Sequence, residues 1–370
     1  MLKYLQYPPK RDVVFVLGAG ASQPDGVPLQ RDILPQILSD KFKDIHNSEI
    51  GKIVISFIKD NFKFNVSKNI YPELEAVFGF ADYFIQHNES LNAKYTYEKI
   101  VHIKEYLIKV IHYIVNFETD KGSTYYGQFW KALTSHCPNS SIITLNYDTL
   151  LEQSFDFLFK HHGYIDYCIP LMNYEQIPQV KKYNFWVNPN EPVEVENEND
   201  NPVAFKIIKL HGSLNWKYCN CCNQTLLTPW DRKIDLIKGK FLGYTYPDNE
   251  EYEYFCPIDG TEFQTLIIPP SYLKTLHHPV ITQLLGIASR ELRIAKKIVF
   301  VGYSLSNADI HIKALLKKQI SRDMEIVVVN PKRKDLLEMN YRSLSENINF
   351  VYTSFEDMLS DQNLVASIFS

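Results

Sequence analysis

The sequence lacks several features that would place a protein in a special class. It has no apolar run of the roughly 18–20 residues that a transmembrane helix requires. Pro8 and Pro9 interrupt the start of the chain, where a signal peptide would need an apolar stretch. Basic residues (39) and acidic residues (43) nearly balance, so a net charge of −4 gives no general attraction to nucleic acid or anionic membranes. We predict a cytoplasmic protein, with no membrane partner and no indication of direct nucleic-acid binding.

The composition is that of a globular protein. The chain has 370 residues, of which 45% are hydrophobic, 14% aromatic and 22% charged, enough for an ordinary core and a second module. Cysteine is scarce, with six residues in all. Four of them, Cys219, Cys221, Cys222 and Cys256, fall in one stretch, which in a reducing compartment suggests a metal site before disulfides.

Five short apolar runs predict a parallel β-sheet. Their spacing is too long for hairpins, so crossover connections are the natural interpretation. We therefore predict an α/β fold: a Rossmann-like parallel sheet with an inserted helical module and a small cysteine-containing excursion. The runs are residues 13–17, 141–145, 205–210, 298–301 and 326–329.

The chain divides into a main domain and two inserted parts. Apolar residues at helical spacing, first Ile33, Ile37 and Leu38, predict a helical insertion over 32–135, and the main domain then comprises 1–31 and 136–370. Two further apolar sets support the insertion. A cysteine-bearing excursion spans 217–265, and prolines and acidic residues predict a surface excursion over 173–203. The two further apolar sets that support the helical insertion are Ile53, Ile55 and Ile58, and Ile100, Ile103, Leu107 and Ile111.

A glycine-rich segment follows the first predicted strand. Gly18 and Gly20 would let the backbone approach a pyrophosphate, and the next helix would offer N–H groups and a positive dipole end. The dinucleotide fingerprint requires a third glycine where Gln23 stands, so a tight turn is the alternative. Arg31 could bind a phosphate or carboxylate, or could be a solvated helix residue.

Polar residues also follow two later strands, where open α/β sheets place ligands. Asn146 and Asp148 could orient a water, an amide or a ribose, although such residues also form ordinary turns. His211, followed by a glycine, could act as a general base near neutral pH, or bond to backbone in a structural role.

The order of these segments resembles that of the sirtuin family. The chain contains GAG-x-S, then G-V-P-x-x-R, T-x-N-x-D, H-G-S, a cysteine pair and Gly302-Tyr303-Ser304-Leu305 between residues 12 and 331. The resemblance implies that NAD is the substrate, that Asn146 positions the attacking water, that Asp148 holds the nicotinamide amide, and that His211 is the base. It assigns the remaining contacts with NAD to Gly18, Ala19, Gly20, Ser22, Arg31, Gly302, Ser304 and Asn330.

The departures from protein-deacylating sirtuins indicate a different nucleophile. Gln30 stands where those enzymes have an aromatic residue, and their F-G-E strand, which holds the acyl-lysine peptide, is replaced by a segment ending in Pro269 and Pro270. The long helical insertion and the turn through Asp309 look more like bacterial antiphage effectors. We predict an NAD glycohydrolase in antiphage defence. Protein deacylation and NAD or ADP-ribose sensing without turnover are the alternatives.

The cysteine stretch has zinc-like spacing. Cys219, Cys222 and Cys256 would be the ligands of a structural zinc, with Cys221 or Asp259 completing the set, and a packed remnant of such a site is the alternative. Glu75 resembles an acidic position of bacterial sirtuin-like proteins, although a solvated helix residue is the simpler interpretation.

An NAD hydrolase requires control, since it would otherwise deplete its host. The helical insertion offers amphipathic faces, so we expect a homo-oligomer. By analogy with defence effectors, a hexameric DNA-translocating ATPase is the partner that we consider.

Overall fold

The computed structural model describes most of the chain, and the account below concerns that part alone. The described residues are 4–6, 11–39, 41–119, 122–158, 163–169, 171–172, 193–195, 203–228, 234–237, 240–244, 251–253, 255–274 and 276–370. Most of the surface excursion predicted over 173–203 lies outside them. Among the described residues, no helix combines the length and apolarity that a membrane crossing needs.

A seven-stranded sheet forms the centre of the protein, and every pairing in it is parallel. All five predicted strands are present in it, within a few residues of the predicted bounds. Two more strands, one at each edge, were not predicted. In spatial order the strands are β15 (Ile348–Val351), β14 (Glu325–Val329), β13 (Lys297–Val301), β2 (Val13–Leu17), β3 (Ser140–Thr144), β6 (Val203–Lys209) and β4 (Gly163–Asp166).

The strand order explains where a ligand site can form. After β2 the chain builds the sheet in one direction through β3 and β6, and then returns to place β13 on the other side of β2. The loops that leave β2 and β13 therefore diverge from adjacent strands, which creates a crevice at their carboxyl ends. The predicted Rossmann-like fold is confirmed.

Helices occupy the segment between β2 and β3 and cover the sheet. In α6, Ile100, Ile103, Leu107 and Ile111 are buried as the periodicity predicts. In α4, by contrast, Ile53 is 40% exposed while Ile55 and Ile58 are buried, because the apolar face of that helix follows the 3.6-residue period. The helices are α1 (Ala19–Ser22), α2 (Gln30–Leu38), α3 (Lys43–Asn47), α4 (Glu49–Asn61), α5 (Leu74–His87), α6 (Tyr97–Glu118), α7 (Tyr125–His136), α8 (Leu150–Leu158), α9 (Pro279–Ile294), α10 (Ile310–Gln319), α11 (Asp335–Arg342), α12 (Phe355–Ser360) and α13 (Gln362–Phe369).

Small antiparallel sheets complete the structure. A three-stranded sheet with the order β12-β7-β8 comprises β7 (Gly212–Tyr218), β8 (Thr225–Leu227) and β12 (Gln264–Ile267), and the cysteine stretch lies at the end where β7 finishes and β12 begins. The eight strands outside the parallel sheet form one two-stranded and two three-stranded sheets. They are β1 (Tyr4–Gln6), β5 (Val193–Val195), β7 (Gly212–Tyr218), β8 (Thr225–Leu227), β9 (Ile234–Asp235), β10 (Lys240–Tyr244), β11 (Glu251–Glu253) and β12 (Gln264–Ile267).

Candidate active site at the carboxyl edge of the parallel sheet

Two glycine turns pack directly against each other at the crevice between β2 and β13. The amide of Gly18 donates to the carbonyl of Val301 (3.0 Å), and the amide of Gly20 donates to the carbonyl of Gly302 (2.9 Å). Gly302 has a φ of +62°, and a Cβ on it would lie 2.4 Å from the backbone nitrogen of Ala21. The glycines are therefore required for close approach of two backbones.

This packing changes the interpretation of the first glycine motif. Helix α1, from Ala19 to Ser22, has four residues, so its dipole is small. The amides of Gly18 and Gly20 are bonded within the protein, and the approach of this backbone to a pyrophosphate stays a prediction. The segment lines the crevice mainly with backbone.

Ser22 is the centre of a buried hydrogen-bond network. Its hydroxyl lies 2.8 Å from the Tyr126 hydroxyl and accepts from the side-chain amide of Asn146 (2.9 Å). The same amide nitrogen donates to the carbonyl of Gly18 (3.0 Å). Ser22 is fully buried and holds Asn146 in place, and its predicted contact with the NAD phosphates stays a prediction.

Asp148 lies in the same network, and its loop is supported from below by a buried ion pair. Burial raises the pKa of the Asp148 carboxyl, while Lys209 and a hydrogen bond from Ser22 act in the opposite direction. Lys209 donates to the backbone carbonyl of Asp148 (2.6 Å) and to Glu152 (2.7 Å). Lys209 and Glu152 are both almost completely buried, so this pair fixes the loop that carries Asn146 and Asp148.

His211 follows β6, the strand next to β3, and meets a second set of polar groups. Its Nε2 lies 3.3 Å from Nε2 of His311 and 3.5 Å from Asp309. A hydrogen bond with the backbone of Leu145 acts to raise the pKa of His211, but its effect is smaller than that of burial. Burial, with Lys274 nearby, lowers the pKa of His211 to about 3, so the ring is neutral at physiological pH.

The other predicted NAD-binding residues lie apart from this centre. Arg31 is 69% exposed on α2, and its guanidinium points toward Asp32 (3.8 Å). Ser304 is exposed in the turn after Gly302. Asn330 is half-buried after β14, and its side-chain oxygen accepts from the amide of Lys332 (3.3 Å). The structure therefore brings Asn146 and Asp148 together with the glycine turns, but not Arg31.

The cysteine stretch forms two turns of the same shape. The amide of Asn223 donates to the carbonyl of Cys219 (2.9 Å), and the amide of Gly260 donates to the carbonyl of Cys256 (2.8 Å). Both donors have positive φ, 58° for Asn223 and 76° for Gly260. Cys222 therefore occupies the same place in the first turn as Asp259 does in the second.

The donor atoms of these turns fit a zinc ion. The sulfur atoms of Cys222 and Cys256 lie 3.7 Å apart, and zinc–sulfur bonds of about 2.3 Å in a tetrahedron give nearly the same separation. The sulfur of Cys219 lies 3.3 Å from a carboxylate oxygen of Asp259. The four side chains have their donor atoms within 4.8 Å of one another, whereas Cys221 is exposed. Of the two candidates for the fourth ligand, the geometry favours Asp259.

Several residues of the site were not predicted from the sequence. Tyr126 comes from α7, and Asp309 and His311 come from the turn after β13 and the start of α10. Lys274 forms a salt bridge with Asp309. Glu75 was noted in the sequence but interpreted as a solvated residue; it is half-buried on α5, burial raises its pKa, and it faces Lys274 and Asp309. The spacing of Asp309 and His311 was the one signal available for this cluster.

The fold and its polar carboxyl edge define a Rossmann-like α/β protein with its site at the strand-order reversal. More specifically, the chain belongs to the SIR2-like family, since a family model described as "SIR2-like domain" matches residues 140–351, more than half of its length.

Comparison with curated proteins gives no match. Solved structures do resemble the chain. One is a Sir2 homologue in complex with NAD, at 15% identity, covering 99% of this chain and 98% of that one, with a TM-score of 0.48. Another is a Sir2 homologue mutant in complex with ADP-ribose, at 14% identity, covering 96% and 91%, with a TM-score of 0.47.

Proposed function

We propose that the protein is an NAD glycohydrolase, which converts NAD and water into ADP-ribose, nicotinamide and a proton. The observation that carries the proposal is the convergence of Asn146 and His211 at the carboxyl ends of the adjacent strands β3 and β6. Membership of the SIR2-like family supports NAD as the substrate. Two neighbouring Sir2 homologues are described in complexes with NAD and with ADP-ribose.

In this proposal Asn146 positions the attacking water. Both hydrogens of its amide are used, by the carbonyl of Gly18 and by Ser22, so its side-chain oxygen is the atom that accepts from a water. Because these bonds fix the amide, the water is held in one orientation, which lowers the entropic part of the barrier.

His211 takes the proton. Water attacks C1′ of the ribose, the bond from C1′ to nicotinamide breaks, and nicotinamide leaves with the bonding electron pair. In this proposal the proton of the water passes to Nε2 of His211, in the tautomer that carries its proton on Nδ1. Asp148 holds the carboxamide of nicotinamide, and the glycine turns at Gly18 and Gly302 approach the pyrophosphate.

Protein deacylation is the second candidate, and one structural finding bears on it. The segment that stands in place of the F-G-E strand overlaps β12, which forms an edge of its sheet. The amide of Ile268, just after it, is already bonded to the carbonyl of His211 (2.9 Å), and Pro269 and Pro270 have no amide to donate. These features limit β-augmentation by a peptide, so water remains the favoured nucleophile.

One assay separates the candidates. Purified protein is incubated with NAD alone, and nicotinamide release is followed, with Asn146→Ala as the control. Release without peptide is expected. Release of nicotinamide only after addition of an acyl-lysine peptide would support the deacylase. Binding of NAD without release of nicotinamide, even with the partners of the protein present, would support a sensor.

We also propose that the enzyme acts in antiphage defence and is gated by assembly. The helical insertion over 32–135 presents exposed apolar side chains, among them Val66, Ile70 and Phe117. A homo-oligomer in light scattering, lost when Phe117 and Ile70 are replaced by Asp, would support this model. A monomer that is fully active on NAD without any partner would contradict it. The partner that we consider is the hexameric DNA-translocating ATPase.

A further inference from the structure

A compact set of metal-ligating atoms lies beside the proposed base. Nε2 of His211 is 3.3 Å from Nε2 of His311 and 3.5 Å from Oδ1 of Asp309. All three donor atoms lie within 4.8 Å of one another. Ligands at about 2.0–2.2 Å from one ion, with tetrahedral angles, are separated by about 3.3–3.6 Å. The atoms are therefore already spaced as ligands of a single small ion.

The surrounding hydrogen bonds orient these donors as metal sites require. His211 has a hydrogen bond with the backbone of Leu145, and its Nε2 is directed at the cluster. The Tyr303 hydroxyl donates to the second oxygen of Asp309 (3.2 Å) and so fixes the carboxylate. Such outer partners set the tautomer and orientation of ligands in known metal sites. The donors also come from both sides of the crevice: His211 follows β6, Asp309 precedes α10, and His311 lies in the first turn of α10.

The cluster already contains one cation. Lys274 forms a salt bridge with Asp309, and its side chain is 6% exposed. The ammonium group of Lys274 donates to one carboxylate oxygen of Asp309 and so occupies an atom that a metal ion would need. A divalent ion that bound here would displace Lys274 from Asp309, and both histidines would have to carry their protons on Nδ1 so that each Nε2 could ligate.

We propose that His211, Asp309 and His311 form a second metal site, which binds a divalent transition-metal ion of the zinc class and competes with Lys274 for Asp309. The site supplies two imidazole nitrogens and one carboxylate oxygen and leaves a position open. It differs in chemistry from the thiolate turns around Cys219.

The consequence for activity rests on the proposed function. A metal on Nε2 of His211 occupies the lone pair that would accept the proton of the attacking water. The ion therefore inhibits NAD hydrolysis, and free metal becomes a control on the enzyme. Metal binding itself is measured without NAD, so its failure and the failure of the proposed function are distinguishable.

The test uses the full chain loaded with zinc at its thiolate turns and titrated with Co²⁺. Bound ions are counted by equilibrium dialysis, and the visible absorption of cobalt reports the ligands. We expect one Co²⁺ per chain without the thiolate charge-transfer band that cobalt shows on cysteine. His311→Ala should weaken binding at least about 10²-fold, since loss of even an outer partner of a ligand costs 10–100-fold.

Two further variants complete the design. His87→Ala removes an exposed histidine at the end of α5 and should leave cobalt binding unchanged. Lys274→Met removes the competing ammonium and should tighten binding. Wild-type protein that binds no Co²⁺ beyond its thiolate turns, or a His311→Ala variant of normal stability that binds as the wild type does, would overturn the proposal.

Discussion

Buried lysines are treated differently in the parallel sheet and in the antiparallel sheet that carries the cysteine turns. On β6, Lys206 pairs with Glu291 of α9 and Lys209 pairs with Glu152 of α8, each at 2.7 Å. On β7, Lys217 donates to the carbonyl of Leu214 (3.0 Å) and to the Thr265 hydroxyl (2.7 Å). Burial lowers the pKa of Lys217 well below its usual value, with Lys109 acting in the same direction.

The ion pairs of the lysines on β6 connect the parallel sheet to its neighbouring helices. Lys206 and Lys209 are three residues apart on one strand, so they project from opposite faces and attach a helix to each face of the sheet. Lys209 also supports the loop of Asp148, which makes the charged pair part of the site. In the antiparallel sheet, Lys217 bonds to a carbonyl and to a hydroxyl, and the cysteine turns lie at one end of the sheet.

The largest effect is expected from breaking the charged pair. Lys209→Met leaves Glu152 buried without its partner, and loss of one member of a buried pair costs about 3–5 kcal/mol. Chemical denaturation would measure the free energy of unfolding. The double variant Lys209→Met with Glu152→Leu removes both charges and should recover more than half of the loss. A loss below about 1 kcal/mol in the single variant would show that the pair is not what fixes this strand.

Variants of the proposed catalytic residues should lower the rate of NAD hydrolysis much more than they lower stability. Asn146→Ala and His211→Ala should each reduce NAD hydrolysis at least about 10²-fold, the usual scale for a positioned acid or base. Asn146→Ala should reduce stability only by about 1 kcal/mol for each hydrogen bond lost. Nicotinamide release and thermal melting are measured together, with His87→Ala as control. Full turnover in both variants would refute the site assignment.

The central sheet was predictable because its strands are buried on both faces. Such strands are continuous apolar runs, and all five runs in the sequence became strands. The edge strands β4 and β15 were missed since a strand with one neighbour needs no continuous apolar run. Residues of β15, such as Asn349, remain exposed. The local sequence pattern therefore identified the five central strands of the sheet but not its two edge strands.

The site was predictable only where its residues follow predicted strands. Asn146, Asp148 and His211 satisfy that condition, and the structure places them at one edge. Tyr126 and Lys274 do not, because they reach the site through the packing of segments distant in sequence. Ser22 was recognised in the sequence, but its hydrogen bond with Tyr126 from α7 could not be predicted, because the two residues are distant in sequence.

Loss of metal from the cysteine turns should lower stability, whereas the catalytic variants should mainly lower activity. If the cysteine turns hold zinc, elemental analysis should give about one zinc per chain, and Cys219→Ser should lower stability without a selective loss of chemistry. Asp259→Ala should weaken zinc retention, whereas Cys221→Ser should not, because Cys221 is exposed outside the ligand set. Metal-free protein of normal stability would favour a packed remnant.

A pH experiment tests whether the folded protein keeps His112, which lies near Lys217, uncharged. Burial lowers the pKa of His112, on α6, well below its usual value. Below about pH 6.5 the unfolded chain binds a proton there that the folded chain does not, so stability falls as pH falls, by about 1.4 kcal/mol per pH unit. His112→Gln should lose this part of the slope between pH 6.5 and 5. Equal slopes for both proteins would mean that His112 is protonated in the folded state.

The smallest effect is expected at Lys217, and it tests the opening comparison most directly. Burial lowers the pKa of Lys217 and so disfavours its charged form, and Lys217→Met should therefore cost less than removal of Lys209 from its ion pair with Glu152. The methionine matches the volume of the lysine stem, although the carbonyl of Leu214 and the hydroxyl of Thr265 each lose a donor, at about 1 kcal/mol each. Removal of an amine that is costly to bury offsets this loss. The free energy of unfolding at neutral pH should therefore change by less than about 1.5 kcal/mol, with zinc content unchanged. A loss as large as that of Lys209→Met would mean that Lys217 is charged and paired, and that the two sheets do not differ in their use of charge.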